Sequence, residues 1–244
     1  MEVLLVVVFV AFVVFVVVKR ATRDEGGEQG HNILGLPPAS EASVSPEPPA
    51  KSPSKAKSRR KPGRKKTGLE VLPPVFVVLD LETTGLSPYS HEIIEIGAIR
   101  ANRDSDNHDS FHTLVKPKRK IPKKITGLTG ITQEMVDAEG CELEQAITDF
   151  VAFIGNYPLV TYNAPFDMGF LQEAAKQFNL AIPNETSCAL RMARRAWPGR
   201  SSYKLADLAR DGSLSEEGTH RALEDCQRAL TIYCAAASIL GQPN

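Results

Sequence analysis

The fold is decided by residues 75–86, which read VFVVLDLETTGL. A continuous apolar run rich in β-branched residues indicates a buried strand over residues 75–81. Residues two apart in a strand point to the same face, so Asp80 and Glu82 project side by side. Such carboxylates repel each other unless a cation lies between them, and Mg²⁺ and Mn²⁺ prefer oxygen ligands. The alternative is a sheet-edge strand whose acidic residues face water.

The formal charge of zero over 244 residues hides an asymmetry. Residues 1–68 carry 12 Lys+Arg against 6 Asp+Glu, whereas residues 69–244 carry 17 against 23. The acidic part suits a metal-centred domain, and the basic part suits an anionic partner. The four cysteines have neither a CxxC pair nor a zinc-binding spacing, which is typical of reduced thiols on the cytosolic side.

Residues 3–18 are sixteen consecutive apolar residues, followed directly by Lys19 and Arg20. As a helix they would span ~24 Å, and flanking residues with local bilayer thinning would close the gap to a ~30 Å hydrocarbon core. We therefore predict a transmembrane anchor over residues 1–20. The basic flank puts the rest of the chain on the cytoplasmic side. The alternatives are a cleaved signal peptide and a cytoplasmic protein in which this segment is buried.

Residues 21–73 have the composition of a disordered linker, rich in Pro, Ser, Gly and charge. Residues 51–66 hold nine Lys or Arg and no acidic residue. This run suits a solvated tether that binds anions nonspecifically. Contact with lipid headgroups or with nucleic acid is the alternative.

An α/β domain is predicted over residues 74–241. Strands over residues 75–81, 93–100 and 110–115 have short connections and suggest an antiparallel meander. Strand–helix alternation follows, which together gives a mixed sheet covered by helices. The predicted later elements are a helix over 142–154, a strand over 158–162, a helix to about 178, and helices over 188–196, 203–210 and 221–240.

Three further residues are candidates for chemistry. Asp167 follows the strand over residues 158–162, at the carboxyl edge of the sheet where α/β proteins bind ligands. Its alternative role is a carboxylate favoured by a helix N-terminus. His220 and Asp225 are about 140° apart on an ideal helix, so they converge only if His220 precedes the helix. The alternative is a solvent-exposed histidine.

The three segments together resemble the motifs of the DEDDh 3′→5′ exonucleases. Residues 79–86 (LDLETTGL) resemble the first motif, residues 163–167 (NAPFD) the second, and His220-x-Ala222-x-x-Asp225 the third. Residues 92–98, 128–132 and 203–208 add supporting matches. The resemblance covers residues 74–240 and is strongest to proofreading epsilon subunits and their stand-alone relatives. It implies a ribonuclease H-like five-stranded mixed sheet and metal-dependent removal of mononucleotides from 3′ ends.

The resemblance also implies a role for each residue. The metal ligands for two Mg²⁺ or Mn²⁺ ions would be Asp80, Glu82, Asp167 and Asp225. His220 would be the catalytic base that takes a proton from the attacking water, and Glu82 would help to orient that water. The substrate-binding candidates are Thr83, Thr84, Leu86, Asn163 and Phe166, although Phe166 equally suits core packing and Asn163 equally suits a turn.

The expected substrate is a single-stranded 3′ end, with DNA favoured over RNA. An exoribonuclease that trims short RNA and a scaffold that tethers nucleic acid to a membrane are the alternatives. Epsilon subunits continue into a polymerase-binding tail and lack an apolar start, and both differences argue against a polymerase-subunit role for this chain.

Overall fold

A five-stranded mixed sheet forms the centre of the domain in the computed structural model, which describes residues 68–105, 107–214 and 220–241. The strand order is β3-β2-β1-β4-β5. The pairs β1–β2 and β2–β3 are antiparallel, whereas β1–β4 and β4–β5 are parallel. The strands are β1 (Val75–Thr83), β2 (Ile93–Asn102), β3 (Asp109–Leu114), β4 (Leu159–Thr161) and β5 (Thr186–Cys188).

Helices cover both faces of this sheet. The described residues form a 3-10 helix (Gly68–Val71) and the α-helices α1 (Lys123–Thr129), α2 (Gln133–Glu139), α3 (Leu143–Ile154), α4 (Ala164–Gln177), α5 (Ala189–Ala196), α6 (Leu205–Asp211) and α7 (Ala222–Leu240).

The alternation of side chains along β1 separates two parts of the core. Val77 and Leu79 belong to the cluster that includes residues of α3 and α4, whereas Phe76 and Val78 belong to the cluster that includes residues of α7. Because side chains alternate with a period of two, residues 80 and 82 share the face of Phe76 and Val78. The two carboxylates therefore lie on the side of the sheet that α7 covers.

The start of α7 lies directly on β2. A Cβ atom at Gly97 would come within 2.6 Å of the Ala222 carbonyl carbon, so only glycine fits at this position. The Sγ–H of Cys226 donates a hydrogen bond to the Gly97 carbonyl at 3.3 Å. This close approach holds the first turn of α7 next to the carboxylates of β1.

The structure confirms the predicted mixed sheet, its antiparallel meander and the flanking helices. Sequence reasoning did not locate β5, α1 or α2 along the chain. β5 has three residues, and α1 and α2 have seven each. β5 is polar in sequence (TSC), and α1 contains Gly127, which disfavours a helix.

The predicted N-terminal anchor and nearly all of the predicted linker lie outside the described residues. Residues 68–73 are described: they begin with the 3-10 helix, and the side chain of Leu72 is buried against the domain. The predicted location at a membrane is corrected by the structure. Over residues 68–241, apart from the gaps given above, no helix is both long and apolar enough to span a bilayer.

Candidate active site

The site lies where β1 extends beyond its parallel neighbour. The pairing between β1 and β4 ends with Leu79 opposite Thr161, whereas β1 continues to Thr83. The backbone N–H of Leu81 is therefore available, and it hydrogen bonds to the carboxylate of Asp167. The Thr161 hydroxyl donates a second hydrogen bond to the same carboxylate. These bonds fasten Asp167 beside the two carboxylates of β1.

Asp80 is at the centre of the acidic cluster. Burial raises the pKa of Asp80 well above its ordinary value, and the negative charges of Asp167, Asp225, Glu82 and Glu95 raise it further. Each of these groups is therefore close enough to oppose ionisation of Asp80. The structure brings together the four carboxylates that the sequence analysis selected.

The pKa values of Glu82 and Asp167 are also raised. Burial, followed by the charges of Asp225, Glu95 and Asp167, raises the pKa of Glu82 to about 8. Burial raises the pKa of Asp167 to about 7, although its hydrogen bonds act in the opposite direction. Buried carboxylates that oppose one another's ionisation need positive charge. This oxygen donor set fits hard divalent cations such as Mg²⁺ or Mn²⁺.

His220 reaches the site through an unusual backbone conformation. It lies before the first residue of α7 and has a φ of 62°, in the left-handed region. Its backbone N–H donates to Asp225 Oδ2 at 3.2 Å. Glu82, His220 and Asp225 each offer one ligand atom, and these atoms all lie within 4.8 Å of one another. The exposed imidazole is thus placed to act either as a base or as a further metal ligand.

Sequence reasoning missed a buried cation beside this group. Arg228 is 4% exposed, and its Nη1 donates to Asp225 Oδ1 at 2.6 Å. The two residues are three positions apart on α7, so they lie on the same side of the helix. That spacing is visible in the sequence and is the signal that could have identified the pair. Arg228 fixes the orientation of the Asp225 carboxylate and partly neutralises it.

Glu95 is a second residue that sequence reasoning did not assign. It is fully buried on β2, directly opposite Glu82 in the antiparallel register. Like charges opposite each other in a sheet are destabilising unless one of them is compensated. Arg221 compensates Glu95 with two hydrogen bonds to Oε1, of 2.7 and 3.0 Å. Arg221 directly precedes α7 and follows His220 in the sequence. Its ion pair with Glu95 therefore links β2 to the segment that carries His220 and Asp225.

The two threonines that follow Glu82 shape the backbone of the turn. Thr83 and Thr84 are both buried. The Thr83 hydroxyl donates to the carbonyl of Gly85 at 2.7 Å, and the Thr84 hydroxyl accepts the N–H of Glu92 at 2.9 Å. Leu86, by contrast, is 84% exposed. Of these three candidates, only Leu86 presents its side chain to solvent.

The candidates on α4 lie at its start. Asn163 is the exposed residue at the N-cap position, and its side chain makes no capping hydrogen bond. Phe166 is partly buried, and its ring centroid lies 5.2 Å from that of Phe170. Part of the Phe166 ring therefore packs with the core, and part remains accessible beside Asp167.

A protein family with this sequence pattern is known. The family model named RNase_T, with the description Exonuclease, matches residues 77–233 and so covers most of the chain. This chain belongs to the RNase T exonuclease family. The resemblance to the DEDDh 3′→5′ exonucleases is confirmed, and so is the expectation that the domain is an exonuclease.

Relatives of this RNase T family domain include epsilon subunits of DNA polymerase III and the much longer PolC-type polymerases. The PolC-type polymerase of Clostridium perfringens is 38% identical over 157 residues, which cover 64% of this chain and 11% of that protein. The epsilon subunit of Aquifex aeolicus is 32% identical over 164 residues, covering 67% of this chain and 80% of that subunit. The chain thus spans about a tenth of the PolC-type relatives and most of the epsilon subunit.

Solved structures share the fold. Exonuclease I of E. coli, in a zinc-bound complex with single-stranded DNA, matches with a TM-score of 0.59 and 19% identity. The match covers 70% of this chain and 41% of exonuclease I. Exonuclease X in complex with 5′-overhanging duplex DNA matches with a TM-score of 0.50 and 25% identity, over 66% of this chain and 90% of that protein.

Proposed function

We propose that this domain removes mononucleotides one at a time from the 3′ end of single-stranded DNA. The observation that carries the proposal is the cluster of Asp80, Glu82, Asp167 and Asp225, whose mutual repulsion and burial call for divalent cations. We propose these four carboxylates as the ligands of two Mg²⁺ or Mn²⁺ ions. When bound, such ions stabilise negative charge on the attacking and leaving oxygens of a phosphodiester.

The chain's own residues supply the remaining chemistry in this proposal. His220 takes a proton from the attacking water, which its exposed position at the mouth of the cluster allows. Glu82 lies within 4.8 Å of the same imidazole and helps to orient the water. Phosphodiester cleavage places charge on oxygens, so preorganised electrostatics at this cluster would contribute most to the rate.

We further propose that the turn after Glu82 receives the terminal nucleotide. The exposed Leu86 would pack against the terminal base, and the backbone groups around Thr83 and Thr84 would meet the terminal nucleotide. Asn163 would hydrogen bond to the terminal sugar, and the accessible part of Phe166 would stack on a base. The exonuclease domain would extend over residues 74–241, with the 3-10 helix Gly68–Val71 beside it, where Leu69 packs on the core cluster that includes residues of α7.

Two observations favour single-stranded DNA as the substrate. The epsilon subunit of Aquifex aeolicus matches over 80% of its length, and the exonuclease I structure described above holds single-stranded DNA. Residues 69–244 also carry six more acidic than basic residues, which disfavours a broad footprint on a duplex.

A digestion assay tests this proposal. The full-length chain would be incubated with Mn²⁺ and 5′-labelled single-stranded DNA, duplex DNA or RNA of the same sequence. We expect a ladder that shortens from the 3′ end, with single-stranded DNA degraded fastest. Faster degradation of RNA would favour an exoribonuclease, and internal cleavage products would contradict the proposal.

A further inference from the structure

The loop between β1 and β2, residues 84–92, presents two large apolar side chains to solvent. Leu86 is 84% exposed and Tyr89 is 85% exposed. Among the described residues, no other large apolar side chain exceeds 50% exposure. The Leu86 side chain has a place in the proposed function above, but that of Tyr89 does not. Two large exposed apolar side chains in one short loop are typical of an interaction surface.

Backbone hydrogen bonds order the loop that carries Tyr89. The backbone of Thr84 donates to the carbonyl of Glu92 at 2.8 Å, and the backbone of His91 donates to the carbonyl of Ser87 at 2.9 Å. The His91 ring occupies the space that a Cβ atom at Gly85 would need. These contacts close the loop on itself, so Tyr89 is presented by a structured segment.

The loop also lies against the helix that carries Asp167. A Cβ atom at Gly169 would come within 3.7 Å of the Pro88 side chain, so the loop passes over the first turns of α4. The loop begins at Thr84, two residues after Glu82. Tyr89 therefore belongs to a loop that begins two residues after Glu82 and contacts α4, the helix that carries Asp167.

A basic segment, residues 116–120 (KPKRK), is attached to the same loop. The Glu92 carboxylate accepts the backbone N–H groups of Lys118 and Arg119, at 2.8 and 3.2 Å. The Arg119 side chain donates to the carbonyl of Ser90, the residue after Tyr89. The side chains of Lys118, Arg119 and Lys120 are exposed. Positive charge and an aromatic ring thus lie together on an otherwise acidic domain.

We propose that Tyr89 and the basic segment form a second contact for the substrate strand, on nucleotides upstream of the terminal one. This inference rests on the proposed exonuclease function. Tyr89 stacks on a base, and Lys118 and Lys120 bind the phosphates that flank it. Proteins that bind single strands without sequence preference combine these two elements, an aromatic surface and a positive track.

Binding measurements with fluorescent single-stranded DNA test the contact. The full-length chain would be titrated in EDTA, which prevents cleavage, with strands of 3 and 12 nucleotides. Tyr89→Ala should weaken binding of the 12-mer by about 5- to 150-fold, the range for one lost base–aromatic contact. Tyr89→Phe should stay within about twofold of the unmodified protein, since the ring remains. The loss should be larger for the 12-mer than for the 3-mer.

Salt dependence tests the charged half of the contact. Each phosphate contact contributes about 0.7 to the slope of log K against log salt for a single strand. Lys118→Gln/Lys120→Gln should therefore reduce the magnitude of that slope by about 1.4. Lys176→Gln is the control, because this exposed lysine lies in the last turn of α4, about 13 Å along the helix from Asp167. The slope of log K against log salt for Lys176→Gln should equal that of the unmodified protein.

The outcomes separate this inference from the function on which it rests. Equal binding of the 12-mer by the unmodified protein and Tyr89→Ala, or an equal change of slope for Lys176→Gln and the double variant, would overturn the second contact. Failure of the unmodified protein to shorten the 12-mer in Mn²⁺ would instead contradict the exonuclease itself, whatever the binding results.

Discussion

The buried carboxylate of Glu95 accepts the backbone N–H of Ala222 at 2.8 Å, across 127 positions of the sequence. Ala222 is the first residue of α7, so this bond fixes where the helix begins relative to β2. His112 Nε2 lies 2.7 Å from the other oxygen of the same carboxylate, which also binds Arg221. One carboxylate thereby connects β2, β3 and α7 immediately behind the active site.

Glu95 differs from its acidic neighbours in its protonation. Burial alone would raise the pKa of Glu95, but hydrogen bonds from His112, Arg221 and Ala222 outweigh that effect and lower it. The carboxylate therefore remains charged and remains an acceptor. A charged Glu95 keeps Arg221 and the start of α7 in place, and these position His220.

We predict that Glu95→Gln lowers the free energy of unfolding by about 3 kcal/mol, because it removes one partner of a buried ion pair. It should also reduce kcat at least tenfold with little change in KM, since His220 loses its support. Urea denaturation and steady-state kinetics provide the two measurements. Glu144→Gln, at an exposed position in the first turn of α3, should change stability by less than about 0.5 kcal/mol. Equal effects of both substitutions would contradict this role for Glu95.

We predict that the metal-free protein loses stability as the pH rises from about 4.5 to about 8. The pKa of Glu82 is raised to about 8 in the folded state from an ordinary value of 4.5. Within that window the folded state binds more protons than the unfolded state, so unfolding becomes easier as the pH rises. The loss should be on the order of a few kcal/mol, as a shift of one pK unit corresponds to about 1.4 kcal/mol.

Thermal unfolding at several pH values, with and without Mn²⁺, measures this effect. Mn²⁺ should stabilise the protein more at pH 8 than at pH 5, because the ion binds the charged carboxylates. Glu82→Gln should flatten the pH dependence of the metal-free protein. A metal-free protein whose stability rises over the same window would be inconsistent with the raised pKa values.

His220→Ala separates the two roles that the geometry allows for the imidazole. If His220 is the base, kcat should fall by about 10²- to 10⁴-fold while Mn²⁺ affinity stays within a few-fold. We predict this outcome. Calorimetric titration with Mn²⁺ provides the measurement, with Asp225→Ala as the comparison that should lose affinity. Loss of Mn²⁺ affinity in His220→Ala as large as that in Asp225→Ala would identify the histidine as a ligand instead.

Arg228→Met tests the buried ion pair on α7. Removing Arg228 leaves Asp225 without the cation that contacts its Oδ1, so the metal-free protein should lose about 3 kcal/mol of stability. A divalent ion can then supply the missing charge. The rise in Tm on adding Mn²⁺ should therefore be larger for the variant than for the unmodified protein. An equal rise in both proteins would show that Arg228 does not balance the charge of the metal site.

The positions of Asp80, Glu82 and Asp167 follow from strand periodicity and from the edge of a parallel pair, so the sequence predicts them. The approach of His220 to these carboxylates cannot be predicted from the sequence, because it depends on a left-handed backbone conformation that the residue type does not specify. The role of Glu95 could be predicted only with the register of β1 against β2, which places Glu95 opposite Glu82. Short-range patterns carry no information about such contacts between distant segments.

The substrate candidates show a similar limit. The segment of Thr83 and Thr84 is recognisable as a turn, but only the structure shows that both side chains point inward to backbone partners. The attachment of the basic segment to the β1–β2 loop depends on Glu92, a residue whose bonding no local pattern indicates.

The most direct test of the carboxylate cluster as a catalytic metal centre is digestion of a 5′-labelled single-stranded DNA by the full-length chain and its Asp80→Asn variant. Glu144→Gln serves as the matched control, and circular dichroism verifies that all three proteins are folded. We predict Mn²⁺-dependent shortening from the 3′ end by the unmodified protein and the control, and a loss of at least 10³-fold in rate for Asp80→Asn. Digestion by a folded Asp80→Asn variant at the rate of the control would contradict the account.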